Sequence, residues 1–374
     1  MPNLFEDTEI NGMMLANRFA RSATWEGMCD PDGRPTQKIV ECYSNLAKGG
    51  VGLIISSYTF VKPDGKQLPG QMGIYTGIFS PEMKVLTSAV HSHGGKVCMQ
   101  LVHAGGQTSS KAIGGRPLAP SAIEAAQFPE IPQELSIKEI EEIVELFGEG
   151  AGRAKEYGFD AVQLHAAHGY LINQFLSPLT NRRSDIYGGT REKRRRFLME
   201  VYHGVRSVVG SNFPVLVKLN LSDNLEGGLD PDEALDAARA LDQEGIDAIE
   251  VSAGTPASGD YTPIRLGITN REQEAYNLSL TERVKKEVGC KVMTVGGIRS
   301  IEIAEDIIQR GDADYIALSR PFIREPGLVN RWQRGNRERA TCISCNGCFK
   351  PGLKEGGIYC VIDRVESEAN DYSA

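Results

Sequence analysis

The stretch SIKEIEEIVELFGEGAGRAKEYGFDAVQLHAAHGY, residues 136 to 170, decides how the chain folds. Its first part repeats apolar residues at helical spacing: Ile140, Ile143, Val144, Phe147 and Ala151. Its second part holds DAVQLHA (160–166), a short and nearly continuous apolar run, which suits a strand buried on both faces in a parallel sheet. Outward from it, seven similar runs appear: RFARSA (18–23), VGLIISS (51–57), KVCMQLV (96–102), PVLVKLN (214–220), DAIEVSA (247–253), KVMTVGG (291–297) and DYIALSR (314–320). Helical stretches such as DPDEALDAARALDQEG and SIEIAEDIIQRG lie between them. Eight strand-then-helix units predict the α/β class and a (β/α)8 TIM barrel. A doubly wound sheet would want a glycine-rich turn after its first strand, and RSATWEG is not one.

Bulk properties agree with a folded enzyme-sized domain. Of 374 residues, 41% are hydrophobic and 24% charged, as in ordinary globular proteins. A net charge of −8 argues against nucleic acid as a partner, because phosphate binding wants a basic face. No run of 18 apolar residues occurs, so no membrane contact is expected. The amino terminus has no basic segment followed by an apolar one, so the expected location is cytoplasmic. In that compartment the eight cysteines are expected free, metal-bound or redox-active rather than paired.

Chemistry in such a barrel sits at the carboxyl ends of the strands. Polar groups crowd there: Ser22, Ala23, Thr24, Ser57, Tyr58, Gln100, His103, His165, His168, Tyr170, Lys218, Asn220, Ser252, Gly296, Gly297, Ser319 and Arg320. TVGGIRS ends strand seven with two glycines and ALSRP ends strand eight with a cation, a pairing suited to a cofactor phosphate or to a tight turn with a structural arginine. His165, His168 and Tyr170 lie within six residues. Imidazoles can donate to an anionic oxygen and a phenol can deliver a proton, as reduction of a polarised double bond requires. No Ser-His-Asp arrangement or HExxH is present, so hydrolysis has little support.

HAAHGYLINQFLSPLTNRRSDIYGGTREKRRRF (165–197) resembles the signature region of the old yellow enzyme family of FMN-dependent NADH:flavin oxidoreductases. NRFARSATWEG, GLIISSYTFVKPDGK, QLVHAGGQT, RPLAPSAI, GGIRS and ALSRPFIREPGLVNRW add matches over residues 1–340. The resemblance implies FMN as cofactor and NADH or NADPH as electron donor. It puts Ser22, Ala23 and Thr24 along the isoalloxazine, with the Tyr58 backbone and the Gln100 amide at its polar edge. Lys218 stands where most relatives have arginine, beside N1 and the C2 carbonyl. Gly296, Gly297, Ser319 and Arg320 would hold the phosphate. His165 and His168 would bind the substrate carbonyl, and Tyr170 would be the proton donor. Trp25 replaces a cysteine that many bacterial relatives carry, and either reshapes the substrate pocket or packs under the flavin edge. Arg265 and Lys111 would meet a substrate carboxylate or CoA phosphate, or stay solvated.

The final stretch, TCISCNGCFKPGLKEGGIYC (341–360), spaces Cys342, Cys345, Cys348 and Cys360 as C-x2-C-x2-C-x11-C. Three thiols within seven residues plus one suit an iron–sulfur cubane, [4Fe–4S], better than zinc or uncoordinated thiols. Cys29, Cys42, Cys98 and Cys290 are expected to be ordinary buried residues. The tail also resembles the branch of 2,4-dienoyl-CoA reductase and trimethylamine dehydrogenase. The expected organisation is therefore a barrel over 1–340 and a cysteine-rich cluster-binding segment over 341–374, with no separate NAD or FAD domain. The favoured function is ene reduction of an activated C=C bond, conjugated to a carbonyl or thioester. Its alternatives are a dehydrogenase passing electrons through the cluster to a carrier protein, and a phosphate-binding isomerase or aldolase using Lys218. Expected partners are a small-molecule substrate, with a CoA thioester among the classes, an electron-transfer protein or subunit, and further copies of the chain.

Overall fold

A computed structural model describes residues 2–365. Eight parallel strands close into a barrel in chain order: β1 (Phe19–Arg21), β2 (Leu53–Phe60), β3 (Lys96–Val102), β4 (Ala161–Ala166), β5 (Val215–Asn220), β6 (Ala248–Ser252), β7 (Lys291–Val295) and β8 (Tyr315–Leu318). All eight expected strands are present, and closure excludes the doubly wound sheet. Strand β2 runs three residues past its expected end. An irregularity between Ile55 and Tyr58 breaks its register with β3, and such bulges re-aim side chains near functional sites.

Helices wrap the outside: α1 (Gln37–Lys48), α2 (Ser80–His91), α3 (Ile137–Glu156), α4 (Arg191–Val209), α5 (Pro231–Gln243), α6 (Leu278–Glu287), α7 (Ile301–Arg310) and α8 (Leu328–Gln333). Helix α3 starts on a capping box. The Ser136 hydroxyl accepts from the Glu139 N–H while the Glu139 carboxylate accepts from the Ser136 N–H at 2.7 Å, which satisfies two free amides at the terminus. Its buried stripe of Ile140, Ile143, Phe147 and Ala151 faces the barrel core. Among the described residues no helix is long and apolar enough to cross a membrane.

Inside the barrel, side chains stack in two chemically different layers, because alternate residues of each strand point inward. The lower layer is apolar and contains Leu53, Ile55, Cys98, Ala161, Leu216, Ala248, Met293 and Tyr315. A hairpin that the sequence reading did not include joins this cluster through Ile10, Met13 and Leu15. It pairs Thr8–Ile10 with Met13–Leu15 and turns on Asn11 (φ 44°) and Gly12 (φ 77°), the left-handed pair that two-residue hairpin loops favour. The upper layer is polar and opens on the functional rim. After β8, residues 341–365 return to that rim, with a short helix at Phe349–Lys354. All eight cysteines are unpaired.

Candidate active site

Strand register builds the polar layer. It sets Gln100 beside Gln163, His165 beside Lys218, and Lys218 beside Glu250. Lys218 Nζ lies 2.9 Å from Glu250 Oε1 and donates to Ser22 Oγ at 2.8 Å, while Ser22 Oγ donates to Glu250 at 2.6 Å. Gln163 Nε2 donates to the other Glu250 oxygen at 2.9 Å, and Gln100 Nε2 donates to Gln163 Oε1 at 2.7 Å. Lys218 is 4% exposed and Glu250 fully buried, so the cation survives burial only because it is paired and hydrogen-bonded. Glu250 and Gln163 escaped the sequence reading, although each is a strongly polar residue inside a fully buried strand.

Above this layer lies a cavity of about 510 Å³, within the range of small-molecule and cofactor sites. Its walls bring together Ser22, Ala23, Thr24, Trp25, Tyr58, Gln100, His165, His168, Tyr170, Lys218, Gly297, Ser319 and Arg320. Gly296 sits just behind, at the turn out of β7. Arg265 does not line the cavity; its guanidinium lies over the Tyr276 ring, 4.2 Å from the centroid. Lys111 is exposed, and His103 is taken up by Asp64 at 3.1 Å. The walls also include Phe349 and Leu353 from the returning tail. Trp25 lines the cavity and carries that tail as well: a side chain added at Gly352 would stand 2.8 Å from its ring.

Buried groups left without partners mark what the cavity is built to receive. Gln100 Oε1, His165 Nδ1, Asn277 Oδ1 and Arg299 Nε all belong to wall residues and lack a hydrogen bond in the described structure, a situation folded proteins rarely leave unanswered. At the β7 end, Gly297 (φ 72°) faces Tyr276, whose ring a Cβ would meet at 3.1 Å. Arg320 lines the same end of the cavity and donates to the Arg265 carbonyl at 2.8 Å and to Asn346 Oδ1 at 2.6 Å. These features fit a large ligand with a polar ring edge at the strand ends and an anionic group near β7 and β8.

At the other end, three rings converge. His165 and Tyr170 have centroids 4.7 Å apart, His165 and His168 5.1 Å, and His168 Nε2 bonds Ser252 Oγ at 2.7 Å. His168 adopts the left-handed conformation (φ 61°), an uncommon state for a residue with a Cβ that turns its ring back over the cavity. Burial, and then the neighbouring charge of Lys218, hold His165 well below the usual imidazole range; burial, His165 and Lys218 do the same for His168. Burial pushes Tyr170 up to about 12. Near neutral pH the site therefore offers two neutral imidazoles and one protonated phenol. Because unfolding frees both histidines to titrate near 6.5, stability should fall as pH drops below that value, by up to about 1.4 kcal/mol per pH unit for each. Urea titrations at several pH values should show this slope reduced in His165→Asn; an unchanged slope would mean the ring is not held neutral.

Family comparison then assigns the chain. The model of the NADH:flavin oxidoreductase / NADH oxidase family matches residues 3–339. The chain belongs to that family. It is 37% identical to an NADH oxidase of Thermoanaerobacter brockii, over all of this chain and 57% of that protein. It is 36% identical to an NADPH dehydrogenase of Geobacillus sp. (strain WCH70), over 94% of this chain and 98% of that one. Among solved structures, a 2-naphthoyl-CoA reductase in complex with 2-naphthoyl-CoA superposes with a TM-score of 0.89 at 28% identity, over 96% of this chain and 56% of that one. The chain thus spans little more than half the length of two of these relatives and nearly all of the third. The family is one of old yellow enzyme-type FMN oxidoreductases, in accord with the resemblance read from residues 165–197.

The cysteine tail is a different matter. Cys342, Cys345, Cys348 and Cys360 line one small cavity of about 20 Å³ with Arg320, Ile323 and Arg324. Among the described residues, however, no group of three or more His, Cys, Asp or Glu side chains is gathered closely enough to hold a metal ion. The expected [4Fe–4S] site, and zinc with it, is therefore not shown. The four thiols share that one hollow. Residues 366–374 of the expected tail segment lie outside the described residues.

Proposed function

We propose that this chain is an FMN-dependent NAD(P)H oxidoreductase of the ene-reductase type, acting on a C=C bond conjugated to a carbonyl or thioester. The observation that carries this reading is the convergence of two neutral histidines and a protonated tyrosine on the cavity that also holds the unpartnered Gln100 Oε1 and the paired Lys218. When bound, FMN supplies a hydride drawn from NADH or NADPH. Ser22, Ala23 and Thr24 would flank its ring, with Tyr58 backbone, Gln100 and Lys218 at its polar edge. Gly296, Gly297, Ser319 and Arg320 would hold its phosphate. Lys218 would set its ammonium beside the ring, and Glu250 and Ser22 hold that group in place.

For the substrate, His165 and His168 donate N–H bonds to the carbonyl oxygen. As neutral donors they stabilise charge developing on that oxygen without needing to titrate. Tyr170 then protonates the α-carbon. The apolar wall of Trp25, Leu68, Phe128, Phe349 and Leu353 excludes water and receives the hydrocarbon part of the substrate. The 2-naphthoyl-CoA reductase likeness supports a thioester as one substrate class. Replacing Arg320 with Ala should weaken FMN binding roughly 10- to 100-fold, the loss expected for a charge-assisted hydrogen bond to phosphate. Fluorescence titration of flavin-stripped protein measures this, and unchanged affinity in a folded variant would move the phosphate elsewhere.

A second reading, electron transfer outward through an iron–sulfur centre to a protein carrier, rests on four thiols lining one hollow beside Arg320. Iron and sulfide assays on anaerobically purified protein test it, and their absence removes it.

A further inference from the structure

Gln67 is a buried side chain at the cavity wall that no step above uses. It is 6% exposed and follows the turn Pro63–Gly65 after β2. Its Oε1 accepts two hydrogen bonds, from Tyr58 Oη and from Tyr170 Oη, each at 2.8 Å. The two phenol rings lie side by side with centroids 5.4 Å apart and planes tilted by 32°. Gln67 is itself clamped: its N–H donates to Gln71 Oε1 at 2.7 Å, and Gln71 Nε2 donates to the Tyr58 carbonyl at 3.0 Å. One amide therefore ties the candidate proton donor, in the loop after β4, to a second tyrosine on β2. Phe at either ring would pack as well, so packing alone does not account for two hydroxyls meeting on one acceptor in a largely apolar wall.

We propose that Gln67 is a positioning residue for proton delivery and that Tyr58 shares the charge left behind, an inference that rests on Tyr170 being the proton donor. In the resting site both phenols donate to Gln67 Oε1, which fixes the Tyr170 oxygen at the cavity face. During reduction the Tyr170 O–H bond breaks and a C–H bond forms at the substrate α-carbon, using the electron pair left there by hydride addition to the β-carbon. The negative charge stays on Tyr170 Oη. A half-turn of the Gln67 amide then presents Nε2 to that oxygen, and the Tyr58 hydroxyl turns to donate to it. Solvent returns the proton afterwards. Burial raises the Tyr170 phenol, and a donor turned toward its oxygen, whether Gln67 Nε2 or the Tyr58 hydroxyl, favours the ionised form.

Two readouts on the holoenzyme test this. In anaerobic stopped-flow work with NADPH and then cyclohexenone, Gln67→Leu should lower the ratio of oxidative to reductive rate roughly tenfold, and Tyr58→Phe several-fold, in line with the loss of single hydrogen bonds to a charged group. The second readout is fluorine NMR of protein carrying 3-fluorotyrosine at its 12 tyrosines, with the Tyr58 and Tyr170 signals assigned by Tyr→Phe deletion. Both signals should move together in Gln67→Leu. Gln67→Glu keeps an acceptor but lacks a donor, so it should restore the resting signals while leaving the rate ratio low. An unchanged ratio in Gln67→Leu, or signals that do not move together, overturns the inference. If Tyr170→Phe itself leaves the oxidative rate intact, the proton-donor reading fails instead, whatever Gln67 does.

Discussion

Replacing Tyr170 with Phe should slow reoxidation of the reduced enzyme by an enone about 100- to 10,000-fold, the usual contribution of a positioned general acid. The phenol qualifies because burial keeps it protonated up to about 12, because it borders His165, and because its hydroxyl is fixed by Gln67 at 2.8 Å. Phe retains the ring and its packing against Tyr58, so the loss falls on proton delivery. Reduction of the flavin by NADPH needs no proton from Tyr170 and should change far less. A quinone substrate, which takes protons from solvent after electron transfer, should also be spared. Stopped-flow traces of the two half-reactions separate these effects. Equal slowing of both would mean that Tyr170 shapes the pocket and donates nothing.

The second large effect concerns stability. Glu250→Leu should destabilise the protein by about 3–5 kcal/mol, because it leaves the Lys218 ammonium buried without its counter-charge. The two groups sit 2.9 Å apart at 4% and 0% exposure. Glu250 also anchors Ser22 and Gln163, so three polar side chains lose a partner together. Lys218→Met should cost a similar amount by stranding the carboxylate. The double variant, with both charges gone and an apolar pair in their place, should recover most of the loss. Urea unfolding of the four proteins closes the double-mutant cycle. Simple additivity of the two losses would show that the pair does not act as a unit. Flavin should bind the double variant poorly even though it folds, because the cation at the ring edge is missing.

The barrel was legible because each strand announces itself as an apolar run between helices of 3.6-residue period, as DAVQLHA does after α3. The hairpin was not read: its Asn11-Gly12 turn was visible, but strands of three residues carry no periodicity. The rim residues followed from strand ends, which is why Ser22, Gln100, His165, Lys218 and Arg320 meet in one cavity. Glu250 stayed hidden because in DAIEVSA, a run buried on both faces, the residue pattern does not separate the barrel interior from the helix side. Only the register that sets it beside Lys218 reveals that it points inward. Gln67, Phe349 and Leu353 could not be placed because loops and a returning tail bring them to the wall, and no local pattern encodes that approach. For the four cysteines the spacing was plain, but spacing fixes which thiols can meet rather than whether they close around a centre. Arg265 carried a charge suited to a substrate anion, yet the rings of Tyr261 and Tyr276 hold it aside.

The most direct measurement is an anaerobic absorbance spectrum of the purified protein, followed through addition of NADPH and then of an enone. Flavin bands that bleach with NADPH and return with the enone are the expected result. A colourless protein that takes up no FMN, or a flavin that NADPH reduces and no enone reoxidises, would contradict the assignment of this cavity to ene reduction.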